Sequence, residues 1–210
     1  MKTIICFGDS NTHGYTLVNE NKRYGKNIRW TGLLSDLLHN CSVIEEGLNG
    51  RTSGFEDSIE PYRDASKQIL PCIMSHAPLD LIIIMLGTND TKDRYHVSAE
   101  EIAYSMEELI RKALSHLHWT KQATEILLVA PCPLEIQSIN GEFSQQSIEK
   151  SHRLPQLLQR LASEYSLHFF DASTVISKLG NDGIHFSREN HLVFAQAIHQ
   201  KIQQIFSASY

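Results

Sequence analysis

Ser10, Gly50, Asn89, Asp182 and His185 are the residues of this chain whose types could together carry out nucleophilic chemistry on a carbonyl. A serine hydroxyl becomes a nucleophile when a base takes its proton, a third group orients that base, and donors wait for the developing oxyanion. Ser10 stands in Gly8-Asp9-Ser10-Asn11, directly after the apolar run Ile4-Ile5-Cys6-Phe7. Small polar residues at such a place also cap turns and helices, so the tetrapeptide alone leaves both readings open. It is not a G-x-S-x-G elbow, because Thr12 occupies the second glycine position.

Asp182-Gly183-Ile184-His185 offers the base and its partner. An acid and a histidine at this spacing can meet across one turn, the carboxylate accepting from Nδ1–H and Nε2 remaining as base. The chain has 11 histidines, so the spacing could also arise by chance. His116, His118, His152, His191 and His199 fall in helical patterns and read as solvated or interfacial, whereas His13 and His96 fall in loops and stay open. Asn89, in Gly87-Thr88-Asn89-Asp90, could donate its side-chain amide to an oxyanion or simply form a turn. Gly50 could offer a backbone N–H to a closely approaching substrate, or be an ordinary turn glycine.

The elements that would position these residues alternate along the chain. Strand-like runs are predicted at Ile4 to Phe7, Val43-Ile44, Leu81 to Leu86, Ile126 to Val129 and Leu167 to Phe170. Between them come helical patterns, such as Trp30, Leu33, Leu34, Leu37 and Leu38 on one face. Ser98 and Glu101 form a capping box ahead of a long helix. Pro71 is tolerable only near a helix start, and Pro155 must start, kink or restart the helix over residues 145–165. Ser187 is a plausible N-cap for the last helix. Leu81 to Leu86 is apolar on both faces, as a central parallel strand should be. Five strands, each followed by a helix, predict a single-domain α/β protein: a doubly wound sheet of about five parallel strands with helices on both faces, spanning 1–210. Chemistry then belongs at the carboxyl ends of the strands.

Composition excludes several classes. The 210 residues hold 41% hydrophobic and 20% charged residues, as an ordinary globular protein does. A formal charge of −5 with scattered basic residues gives no nucleic-acid footprint. Cys6, Cys41, Cys72 and Cys132 form no C-x-x-C pair, and most lie in or beside apolar runs, which predicts free thiols in a reducing compartment. The apolar run before Gly8 is too short for a signal peptide, and no run reaches a membrane span, so a cytoplasmic location is expected. No cofactor is expected, and no metal either, on the reading that no His/Cys/carboxylate set has ligand spacing.

Four blocks together, Gly8-Asp9-Ser10-Asn11, the Gly50 loop, Gly87-Thr88-Asn89-Asp90 and Asp182-Gly183-Ile184-His185, resemble the SGNH (GDSL-type) hydrolase superfamily. The resemblance covers essentially the whole chain. Arg29-Trp30-Thr31-Gly32, the stretch from Val43 to Thr52, and Ile84 to Lys92 look like its bacterial arylesterase branch, which also contains acyltransferases (perhydrolases) and carbohydrate acetylesterases. The resemblance implies a flavodoxin-like fold with Ser10 as nucleophile, His185 as general base and Asp182 as its orienting partner. The Ser10 N–H, the Gly50 N–H and the Asn89 side chain would form the oxyanion hole. Asn11 replaces the leucine that names the motif. His13 and Tyr15 stand where acyltransferase-like members tend to carry tryptophans, and with Ile184 they are expected to flank the substrate pocket.

The expected activity is a serine esterase acting on small acyl esters, aryl or carbohydrate acetates, through an acyl-enzyme. The alternatives are a lysophospholipase- or thioesterase-like hydrolase of longer chains, acyl transfer, or a catalytically silent binding module. The chain has no extended apolar lid segment, which favours short acyl groups. The expected partner is a small-molecule ester, with no nucleic acid and no membrane. Relatives often form homo-oligomers, and Asn19–Asn27 and Pro131–Gly141 are the expected contact stretches.

Overall fold

A computed structural model describes residues 1–18 and 22–208. Five parallel strands, β1 (Lys2–Gly8), β2 (Cys41–Gly47), β3 (Leu81–Met85), β4 (Glu125–Ala130) and β5 (His168–Asp171), form one sheet in the order β2-β1-β3-β4-β5. The helices are α1 (Ser10–His13), α2 (Trp30–Leu37), α3 (Ile69–His76), α4 (Ala99–Thr120), α5 (Gln145–Glu164) and α6 (Arg188–Ala208). This is the doubly wound α/β architecture expected from the alternating pattern. Its strand order reverses direction at β1, so the crevice between the carboxyl ends of β1 and β3 is where such sheets bind ligands.

Alternate residues of each central strand feed opposite cores. Ile5 and Phe7 of β1, Ile82 and Ile84 of β3, and Leu128 of β4 pack under α3, α4 and α5. Ile4, Cys6, Leu81, Ile83, Met85 and Val129 pack under α2 and α6, with Trp30, Phe194 and Ile198. Strands buried on both sides in this way read as continuous apolar runs, which is why β3 was legible. The α4 cap forms as expected: Ser98 Oγ accepts from Glu101 N–H at 3.2 Å, and the Glu101 carboxylate accepts from Ser98 N–H at 2.7 Å.

Two elements depart from expectation. The second strand extends well beyond Val43-Ile44, because β2 pairs with β1 from Lys2↔Cys41 to Gly8↔Gly47. Its charged end is tolerated at a sheet edge, where Glu45 is held by the Arg29 guanidinium and by Thr31 Oγ1 at 2.6 Å. The second departure is α5, which runs through Pro155 without a break in the helix. Burial of Leu154, Leu158 and Leu161 offsets the backbone bond that proline cannot make.

All four cysteines are free thiols. Among the described residues, no helix is long and apolar enough to cross a membrane. Of the two stretches expected to make intersubunit contacts, Asn19–Asn27 begins with Asn19, Glu20 and Asn21, which lie outside the described residues. Pro131–Gly141 leaves Ile136 and Ile139 exposed.

Candidate active site

The site begins where β1 ends. A Cβ on Gly8 would meet Thr12 Oγ1 at 2.1 Å and the Met85 carbonyl oxygen at 2.8 Å, so only glycine lets the chain turn this close to β3. Asp9 then caps α1, its side chain accepting from Asn11 N–H at 2.9 Å. The capping work is thus done by Asp9, and the Ser10 hydroxyl is left for another partner. Ser10 N–H lies at the first helical position, which has no intrahelical acceptor. Ser10 has no positive φ, in keeping with the absence of a strained elbow.

The partner arrives from the loop before α6. Asp182 Oδ1 accepts from the N–H groups of Ile184 at 3.0 Å and His185 at 2.9 Å, a tight turn that Gly183 allows at φ +66°. Asp182 Oδ2 lies 2.7 Å from His185 Nδ1, and His185 Nε2 lies 2.9 Å from Ser10 Oγ. Burial opposes the charge on Asp182, but the His185 hydrogen bond and charge and the two N–H donors outweigh it and hold the carboxyl down at about 2. An ionised Asp182 fixes the proton of His185 on Nδ1 and leaves Nε2 able to accept the Ser10 proton.

Asn11 clamps this loop. Its Nδ2 donates to the Ile184 carbonyl at 3.2 Å and its Oδ1 accepts from Phe186 N–H at 2.8 Å, so it grips both peptide groups flanking His185. Trp30 Nε1 donates to the Asn11 carbonyl at 3.0 Å, which ties the clamp to α2.

The candidate oxyanion donors are joined by a second set of bonds. Gly50 sits at φ +77°, and its N–H has no acceptor among the described residues. Arg51, which sequence reasoning passed over, holds this loop: Nη1 donates to the Gly8 carbonyl at 2.8 Å and also to that of Glu46, and Nε donates to Gln68 Oε1 at 2.9 Å. Leu48 N–H bonds to the same Gly8 carbonyl at 3.1 Å. Asn89 follows β3, and its Nδ2 donates to the Arg51 carbonyl at 3.1 Å. That bond uses one amide hydrogen and leaves the other free to donate.

Two buried carboxyls lie behind these donors. Desolvation pushes Asp9 up to about 6 against the pull of the Asn11 N–H, His185 and Arg51. It pushes Asp90 up to about 6 as well, against hydrogen bonds from the Ser53 hydroxyl and N–H, with the Asp9 charge adding to the rise.

The other expected positions fall out differently. The Tyr15 ring packs against the His185 imidazole with centroids 4.5 Å apart. Tyr15 also lines a 630 Å³ cleft that reaches Asp182 and His185, with Tyr24, Thr16, Lys178, Asn181 and Asn190. Ile184 is buried in a small cluster with Leu134, Phe143 and Ile148. His13 ends α1 rather than lying in a loop. Its pKa is lowered, first by burial and then by Arg23, with Arg29 and Glu45 also among its charged neighbours.

Two expectations are corrected. His191, expected at a solvated or interfacial helix position, is fully buried, where Nδ1 accepts from Trp30 N–H at 3.2 Å; burial lowers its pKa to about 3 and keeps it neutral. The reading that no His/Cys/carboxylate set has ligand spacing fails at Glu46, Cys72 and His76, which come together at the outer edge of the sheet. Its cause is topological, since Glu46 meets the other two only through the packing of α3 on β2.

A sequence model described as the GDSL-like lipase/acylhydrolase family matches residues 6–192. No curated protein matches the chain. Among solved structures, a carbohydrate acetylesterase from Sinorhizobium meliloti is similar at 36% identity and a TM-score of 0.91, covering 98% of this chain and 100% of its own. The native aryl esterase of M. smegmatis is similar at 34% identity and a TM-score of 0.89, covering 97% and 99%. A second carbohydrate acetylesterase family member from Sinorhizobium meliloti shares 31% identity at a TM-score of 0.87, covering 99% and 100%.

Proposed function

The chain belongs to the GDSL-like lipase/acylhydrolase family and is a carboxylic ester hydrolase, and from that premise we propose that it cleaves short-acyl, acetyl-type esters of aryl or carbohydrate alcohols through Ser10, His185 and Asp182. The observation that carries this reading is the hydrogen-bonded series Ser10 Oγ, His185 Nε2 and Nδ1, Asp182 Oδ2, at 2.9 and 2.7 Å. In the proposed reaction Ser10 Oγ attacks the ester carbonyl while its proton passes to His185 Nε2. The tetrahedral oxyanion is held by Ser10 N–H, Gly50 N–H and Asn89 Nδ2. Collapse expels the alcohol, which takes the proton from His185. Water, deprotonated by the same nitrogen, then releases the acid from Ser10.

The substrate side rests on the cleft that reaches His185. Tyr15 and Tyr24 offer faces on which an aryl or pyranose ring can stack, and Thr16, Lys178, Asn181 and Asn190 offer hydrogen bonds to hydroxyls. Leu17 and Val18 add apolar surface at the same cleft, and this mixed lining fits an aryl or sugar alcohol. The similar acetylesterases and aryl esterase point the same way. Ser10→Ala should abolish turnover of p-nitrophenyl acetate. In a series of p-nitrophenyl esters from C2 to C12, kcat/KM should be highest at the short end, and a maximum above about C8 would overturn the short-acyl reading. Acetylated sugars compared with aryl acetates separate the two alcohol classes.

A further inference from the structure

The outer end of β2 and the last turn of α3 bring together three side chains that ester chemistry does not use. Cys72 and His76 are four residues apart on α3 and so project from one face of the helix. Glu46 projects from β2 to the same side as Ile44, which packs against the core under α3. A carboxylate oxygen of Glu46, Cys72 Sγ and a ring nitrogen of His76 lie within 4.8 Å of one another.

The histidine is already oriented as a ligand. His76 Nδ1 lies 2.9 Å from the Cys72 carbonyl and 3.1 Å from Ser75 Oγ. The carbonyl can only accept, so this bond places the ring proton on Nδ1 and leaves the lone pair on Nε2. That nitrogen faces Glu46 Oε1 at 3.8 Å. An imidazole with one nitrogen free and the other donating to a backbone carbonyl is the pattern that metal-ligating histidines adopt. Donor atoms about 2.0–2.3 Å from a tetrahedral ion are separated by about 3.3–3.8 Å, so Glu46 and His76 stand almost at ligand separation. Both are half-buried, and rotation of their side chains can bring them to Cys72.

We propose that Glu46, Cys72 and His76 bind one divalent cation of the zinc class, with water in the fourth position. Sulfur, imidazole and a single carboxylate select against calcium and magnesium, which take oxygen ligands. Binding breaks the Cys72 S–H bond, forms a metal–sulfur bond and releases the proton to solvent. The thiolate and the Glu46 carboxylate then balance the two charges of the ion. The ion must overcome the burial and the Glu46 charge that push the metal-free thiol up to about 12 against the pull of Arg51. An ion held here pins β2 to α3, the elements between which the Gly50 loop hangs, and has no part in the ester chemistry.

The test uses the full chain stripped with chelator, dialysed, and titrated with Zn2+ by calorimetry and with Cd2+ by ultraviolet absorption. One ion per chain is expected, together with a thiolate-to-Cd2+ charge-transfer band that disappears in Cys72→Ser. His76→Gln and Glu46→Gln should each weaken Zn2+ binding by at least about tenfold, while His76→Gln retains wild-type turnover of p-nitrophenyl acetate as evidence of folding. Chelator should leave that turnover unchanged in the wild type. Absence of stoichiometric Zn2+ binding, a Cd2+ band that survives Cys72→Ser, or unchanged affinity in folded His76→Gln would each overturn the proposal.

Discussion

Ser10 Oγ and His185 Nε2 lie 2.9 Å apart across 175 positions of sequence. The residue after Ser10 is what holds them there, because Asn11 bonds the peptide groups on both sides of His185. Ser10 and Asn11 share one turn of α1, so any movement of that turn carries both. Asp182 closes the loop from its far side and takes three hydrogen bonds, two from backbone and one from the imidazole.

Asp182→Asn tests the orientation of the base. The amide oxygen can still accept from the Ile184 and His185 N–H groups, but the amide NH2 then faces Nδ1. That favours the tautomer protonated on Nε2, which cannot take the Ser10 proton. A fall in kcat on the order of 10³–10⁴ with little change in KM is expected on p-nitrophenyl acetate. The substitution also removes a carboxyl held at about 2, below its ordinary 3.8. The stability this carboxyl contributes is present above about pH 4 and lost as pH falls toward 2, so acid unfolding of the variant should lack that component.

Asn11→Leu tests the clamp. The leucine leaves the Phe186 N–H and the Ile184 carbonyl buried without partners, at a cost of about 1–3 kcal/mol for each group. Released from one side, His185 drifts from Ser10, and a displacement near 1 Å costs on the order of 10² in rate. Asn11→Asp keeps the acceptor for Phe186 and should recover part of the stability. Urea unfolding and kcat measured on both variants check the pair, and a Leu variant with wild-type stability and turnover would remove the clamp from the account.

Asn89→Ala and Gly50→Ala probe the donors from two sides. Losing the Asn89 amide should lower kcat by about 10²–10³ while leaving KM nearly unchanged. Alanine at Gly50 meets Glu60 Oε2 at 3.0 Å and Arg63 Nε at 3.2 Å and must hold a φ of +77°. The loop should therefore shift its N–H and destabilise the fold by more than about 1 kcal/mol. Asn89→Ala should lose rate with little loss of stability; Gly50→Ala should lose both.

What could be read from the sequence was local, or repeated along the chain. The continuous apolar runs of β1 and β3, the Ser98–Glu101 cap and the Asp182–His185 turn each involve neighbours within a few residues, and each is present in the structure. Asn11 and Arg51 were obscure because their partners lie 173 and 43 residues away. Nothing at Asn11 distinguishes a clamp from a motif variant until the His185 loop is folded onto it. The charged end of β2 looks unlike a strand until Arg29 neutralises Glu45 and the Thr31 hydroxyl donates to it. His191 sits on a helical stripe whose burial depends on how α6 lies against Trp30, and helical spacing does not reveal that. The i, i+4 spacing of Cys72 and His76 is visible in sequence, yet Glu46 reaches them only through sheet topology.

Asp90→Asn separates a buried charge from the rest of the site. Asp90 Oδ1 accepts from Ser53 N–H at 2.7 Å and from the Ser53 hydroxyl, and Oδ2 has no partner. Burial raises the folded-state pKa from 3.8 to about 6. A raised pKa means that the folded chain binds this proton more tightly than the unfolded chain. Its stabilising contribution is therefore complete below about pH 4 and is lost as pH climbs through 6. The loss amounts to roughly 3 kcal/mol for a shift of about two pKa units. Asparagine keeps the acceptor for Ser53 and carries no charge, but it places an unpaired amide N–H where Oδ2 was. That penalty is the same at every pH, so it cancels when the difference between variant and wild type is compared at pH 4.5 and at pH 8. Asp9 titrates over the same window in both proteins and largely drops out, apart from the repulsion that Asp90 no longer exerts on it. Urea unfolding at the two pH values should show the variant gaining on the wild type as pH rises. Parallel pH–stability curves for the two proteins would mean that Asp90 is not carrying a desolvated charge at neutral pH.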